Sequence, residues 1–151
     1  MPKFPPTFAA SYPTPMVYLT RRERFNAAHK LWVREWSEEK NLQVFGKCAN
    51  KNWHGHNYEL YVTVKGTPDP VTGFIVDVKE LGSIIRREIT DVLDHTNLNL
   101  DVPFIPEGMQ PTTENLVMLI WKQLEPHIQG CHLHSVRLHE TENIYAEYFG
   151  E

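Results

Sequence analysis

The residues best equipped for chemistry lie in Cys48-Ala-Asn-Lys-Asn-Trp-His54-Gly55-His56, at the start of a run with clear strand character. Side chains two apart on a strand point the same way, so His54 and His56 share a face. Gly55 between them leaves space on the opposite side. Two imidazoles on one face, joined by a third from another strand, can make a three-histidine zinc site with one open position. His29, ending an earlier strand in Phe25-Asn-Ala-Ala-His29-Lys-Leu, is the candidate for the third. A His-x-His pair alone would read as surface histidines on a strand edge; the cysteine and glycine beside it turn the reading toward metal. Cys48 admits two roles. It could complete a closed, structural four-ligand site, or stand just outside the shell as a thiolate base whose pKa the metal and an imidazole lower. Spacing does not decide between them.

These side chains need a scaffold, and the sequence sketches one. Met16 to Leu31 reads as a strand entering a loop, with Val17, Leu19 and Phe25 among Thr and Arg. Trp32 to Asn52 is polar and irregular, with one helical turn expected around Ser37 to Leu42. Asn57 to Lys65 alternates and is rich in β-branched and aromatic residues, a strand. Thr67 to Gly73 is a turn by its Pro and Gly content, and Phe74 to Asp77 is expected to return as a short strand, closing a hairpin. Val78 to Leu93 carries apolar residues at 78, 81, 84, 85, 89, 92 and 93, a helical spacing. Thr112-Thr113-Glu114-Asn115 supplies an N-cap for a second amphipathic helix ending near Pro126. Two more strands follow, Ser135 to Thr141 and Ile144 to Phe149. The order predicts an α+β fold: an antiparallel four-stranded sheet with two helices on one face.

With no internal repeat and no interior linker, residues 16–151 read as one domain. Residues 1–15, with prolines at 2, 5, 6, 13 and 15, read as an extended arm. A net charge of -4 argues against a nucleic-acid surface, and the apolar runs are too short to span a bilayer. Two cysteines make no disulfide framework, and no signal pattern opens the chain, so a reducing cytoplasm is expected.

The segments FNAAHKL, FGKCANKNWHGHNYELYVTVKG, DPVTGFIVDVKEL, LDHTNLNLDVPF, PTTENL and VRLHETENIYAEY, in this order, strongly resemble the 6-pyruvoyl-tetrahydropterin synthase family. The resemblance runs from about Val17 to the C-terminus. It implies the tunnelling fold, whose subunits form barrel-like trimers that stack in pairs, hence a homohexamer. It implies that His29, His54 and His56 hold Zn2+, and that Cys48 is the general base, supported by Asp94 and His95. It implies that Glu140 anchors the pterin's guanidine-like edge, with Thr113 and Glu114 helping to recognise the ring. Without the resemblance, Glu140 would be a solvated strand residue, and Thr113 and Glu114 a helix cap and a first-turn acid. An Asp94-to-His95 hydrogen bond between sequence neighbours needs a turn there. Trp53 stands where many relatives carry glycine, and a bulky indole there could narrow the pocket mouth or pack at a subunit boundary.

Three reactions share the scaffold that the resemblance implies. One converts 7,8-dihydroneopterin triphosphate to 6-pyruvoyl-tetrahydropterin with elimination of triphosphate. Another makes 6-carboxytetrahydropterin, on the way to queuosine and other deazapurines, and a third cleaves the dihydroneopterin side chain toward folate. The carboxy branch typically has three residues between the cysteine and His-Gly-His, and the folate branch a glutamate in its place. Five residues separate Cys48 from His54, as in pyruvoyl-type enzymes, which favours the first reaction. Arg21, Arg22, Arg24, Lys30, Lys47 and Lys51 flank the ligand segments and could bind the triphosphate, with Mg2+ expected beside it on charge grounds. The competing reading is a non-catalytic, zinc-stabilised pterin-binding module with Cys48 on the metal.

Overall fold

Two long strands, β1 (Val17–His29) and β2 (His54–Gly66), run antiparallel from Val17 opposite Gly66 to His29 opposite His54. The computed structural model describes residues 14–151, so most of the expected N-terminal arm, residues 1–13, lies outside the described residues. Alternation along β2 divides the sheet. Tyr58, Leu60, Val62 and Val64 are buried on one face, while Asn57, Glu59, Tyr61 and Thr63 point to the other. On β1 the buried face carries Phe25, Ala27 and His29.

Against this face pack the two amphipathic helices, α2 (Val78–Ile85) and α4 (Thr113–Leu124). Leu81, Ile85, Leu116, Ile120 and Leu124 are fully buried there, each contributing about 1.5–3 kcal/mol by leaving water. Side-chain caps set the helix starts. Asp77 accepts from Lys79 N for α2, and Thr112 accepts from Asn115 N for α4. The first helix, α1 (Glu38–Phe45), is capped by Ser37 and is longer than the single turn expected. Beyond Ile85 the chain passes through a π-helical turn, Arg86–Thr90, into a last turn, α3 (Asp91–Leu93), so helical structure does extend to Leu93.

The sheet order is β3-β1-β2-β4-β5, with β4 (His132–His139) and β5 (Tyr145–Tyr148) antiparallel to their neighbours. The four expected antiparallel strands are joined by a two-residue fifth, β3 (Thr96–Asn97), parallel to β1. The expected strand Phe74 to Asp77 does not form. β1 and β4 occupy both edges of β2, leaving no row of amides for a hairpin return, and Ile75 and Val76 pack on the core instead. Among the described residues no helix is long and apolar enough to cross a membrane.

Candidate metal and substrate site

His29 and His54 form the last rung of the β1–β2 ladder, and His56 follows two residues on. All three project from the face that carries the core, just beyond Tyr58. One ring nitrogen from each lies within 4.8 Å of the others. The ring centroids are 4.5 Å apart for His29 and His54, and 5.0 Å for the two pairs that include His56. His29 Nε2, both nitrogens of His54 and His56 Nε2 are buried without a hydrogen-bond partner. Buried polar atoms normally find partners, so several converging orphan nitrogens fit a metal ion. His29 Nδ1 is bonded to the Pro111 carbonyl at 2.8 Å. Burial pushes all three histidines below their ordinary pKa, with imidazole neighbours adding to the shift, so they stand neutral and ready to coordinate near pH 7. Among the described residues this is the one such group, and Cys48 is not part of it.

Cys48 sits in a 3-10 turn, Gly46–Ala49, and is half-buried. Its carbonyl accepts from Leu31 N at 2.9 Å, which ties the cysteine loop to the end of β1. Burial, and then the Glu140 carboxylate, push its thiol up; the chain's own groups therefore work against a thiolate. A bound dication would work in the opposite direction. Glu140 closes the cluster from the end of β4, with Oε1 3.4 Å from His29 Nε2 and 3.6 Å from His56 Nε2. It also borders a cavity of about 430 Å³ with His56, Asn57 and Thr141.

Sequence reasoning missed Tyr58. Its hydroxyl is buried and unpartnered, its ring stacks on Phe25 at 4.8 Å and meets His56 edge-on at 5.6 Å. Burial raises its pKa far above the ordinary phenol value, with Glu140 and Cys48 adding to the rise. The signal was available: Tyr58 is two residues past His56, hence on the same face.

Asp94 and His95 form the expected pair, Asp94 Oδ2 accepting from His95 Nδ1 at 2.7 Å. The turn it requires is present, with His95 at φ 59°. Asp94 Oδ1 also accepts from Asn26 N at 2.8 Å, and this contact, followed by the imidazole, holds the carboxyl below its usual range. The exposed His95 ring borders a depression with Asn26, Ala28, Gly55, His56 and Asn57. Thr113 is buried and Glu114 exposed, in the first turn of α4 directly after Pro111. Of the basic candidates, Arg21 pairs with Glu23, and Arg22 and Arg24 with Glu59.

The 6-pyruvoyl tetrahydropterin synthase family model matches residues 18–151. The human 6-pyruvoyl tetrahydrobiopterin synthase is 41% identical over 133 residues, covering 88% of this chain and 91% of that protein. Its namesake from Dictyostelium discoideum is 43% identical over 135 residues, covering 89% and 97%. The solved Caenorhabditis elegans 6-pyruvoyl tetrahydropterin synthase superposes with a TM-score of 0.84 at 32% identity, covering 93% of this chain and all of that one. These matches span nearly the whole length of the chain, which belongs to the 6-pyruvoyl tetrahydropterin synthase family.

Proposed function

We propose that the protein is a zinc-dependent lyase that converts 7,8-dihydroneopterin triphosphate to 6-pyruvoyl-tetrahydropterin and releases triphosphate. The observation that carries this reading is the convergence of three histidines with orphan nitrogens, beside Cys48 and Glu140, in a member of this family. Three neutral imidazoles suit Zn2+ better than Mg2+, which prefers oxygen. The family relatives carry the synthase name, and the five-residue spacing before His54 favours the pyruvoyl product.

Each residue has a task. His29, His54 and His56 would hold the metal, with Cys48 outside their set. Bound zinc would supply a Lewis acid that acidifies the C–H next to a side-chain oxygen. Cys48, as thiolate, takes the proton from that carbon. Glu140 receives the paired N–H donors of the pyrimidine edge, a two-bond contact that is strong and directional. The first turn of α4, Thr113 and Glu114, offers further donors and acceptors to the ring. The Asp94–His95 pair supports Cys48 as the base.

The direct test is to incubate zinc-loaded protein with 7,8-dihydroneopterin triphosphate and identify the pterin by mass spectrometry. A pyruvoyl product supports the reading. A carboxy product with acetaldehyde moves the protein to the deazapurine branch, and zinc fully bound without turnover sinks the assignment.

A further inference from the structure

Lys30 follows the metal-site residue His29, and Trp53 precedes His54, so the two flank the last rung of the β1–β2 ladder. Trp53 holds φ 67°, a left-handed backbone that a bulky side chain seldom adopts. Such strain persists where the surroundings over-determine it, and it gathers at ligand sites. Here the indole faces the Lys30 ammonium, 5.9 Å from the ring centroid, while Trp32 lies 4.2 Å from the same ammonium.

Two amide side chains hold this segment still. Asn99 accepts from Lys30 N at 3.0 Å and donates to its carbonyl at 2.8 Å. Gln110 treats Trp32 in the same way, with both contacts at 2.9 Å. All five residues line one cavity of about 640 Å³. Arg34 and Glu107 pair across its rim at 3.9 Å, and Glu35 is exposed there. Lys30 has no carboxylate partner among the described residues. Its ammonium lies over two indole faces with no carboxylate to pair with, an arrangement that a multiply charged anion satisfies with charge-assisted hydrogen bonds. Arg21, Arg22 and Arg24 are already matched by Glu23 and Glu59.

We propose that Lys30, seated between Trp32 and Trp53, binds the phosphate tail of the substrate, and that this cavity, whose Lys30 and Trp53 adjoin His29 and His54 along the chain, is the polyphosphate subsite. The proposal rests on the reading that the substrate is a triphosphate ester. Trp53 then sets specificity by fixing where the ammonium stands.

Inorganic tripolyphosphate, titrated into the full-length protein and followed by tryptophan fluorescence, tests the site without turnover. The wild type should give a saturable, salt-sensitive change. Lys30→Met, which keeps the aliphatic stem, should weaken that binding at least about tenfold. The same variant should raise KM for 7,8-dihydroneopterin triphosphate by a similar factor, while unphosphorylated 7,8-dihydroneopterin binds as to the wild type. Equal tripolyphosphate affinity in wild type and Lys30→Met, or no saturable binding to the wild type, overturns the proposal. Lys30-dependent tripolyphosphate binding without any pterin product would sink the synthase reading and leave the anion site standing.

Discussion

His29 Nδ1 donates to the carbonyl of Pro111 across 2.8 Å, joining the end of β1 to the residue just before the Thr112 cap of α4. A carbonyl can only accept, so the proton is on Nδ1 and the lone pair on Nε2 faces the cluster. One contact thereby sets a tautomer and fastens the metal site to a helix start. His29→Ala should lose metal and also destabilise the metal-free protein by about 1–3 kcal/mol, because the Pro111 carbonyl stays buried without a partner. Metal analysis and urea unfolding of the metal-free form separate the two effects. Unchanged stability would mean that the contact only orients the ring.

Cys48→Ala distinguishes a base from a ligand. With three histidines converging and the cysteine outside their set, the variant should keep wild-type zinc content while turnover falls by roughly 10²–10⁴-fold. Loss of zinc together with activity would instead point to a closed, structural site.

The metal-free protein should weaken in acid. Burial holds His29, His54 and His56 below their ordinary value of 6.5. Below pH 6.5 the unfolded chain therefore takes up protons that the folded chain resists, and stability falls as pH drops from there toward the folded-state values. Melting temperature between pH 5 and 8 should decline on the acid side, and less steeply in His54→Gln. Zinc should move the decline to lower pH, since coordination competes with the same protons.

Gly55 is pinned between the two ligand histidines of β2. A Cβ there would stand 3.0 Å from the Ala27 carbonyl oxygen and 3.6 Å from the Ala28 Cα, backbone atoms of the paired strand. Gly55→Ala should pry β1 from β2 at the His29–His54 rung and lower zinc affinity by more than about tenfold, read by chelator competition. Wild-type affinity would show that the ladder yields more easily than its length suggests.

Asp94→Asn retains an oxygen for Asn26 N but replaces the acceptor of His95 Nδ1 with a donor. Zinc content should be unchanged, and kcat should fall by about tenfold or more with little change in KM. A rise in KM alone, with kcat unchanged, would assign the pair to substrate binding.

The strands, both amphipathic helices and the ligand face were legible because strict alternation and helical spacing record burial directly. Phe74 to Asp77 misled because Ile75 and Val76 were bound for the core beside a strand already paired on both sides. That information belongs to the topology, not to the segment. β3 could not be read, since two residues carry no periodicity. The histidine trio emerged from spacing, whereas the bond from His29 to Pro111 and the clamp of Asn26 on Asp94 span 82 and 68 positions. Tyr58 was overlooked although its place on the His54–His56 face followed from the same alternation.

The connection 30–53 leaves the sheet at His29 and returns at His54. A metal held by both residues would cross-link the chain at the neck of that loop, as a disulfide would. Closing a loop of this length removes roughly 3 kcal/mol of conformational freedom from the unfolded ensemble. Zinc would then act as a clasp, and hydrogen exchange in 30–53, Cys48 included, should slow when the metal binds.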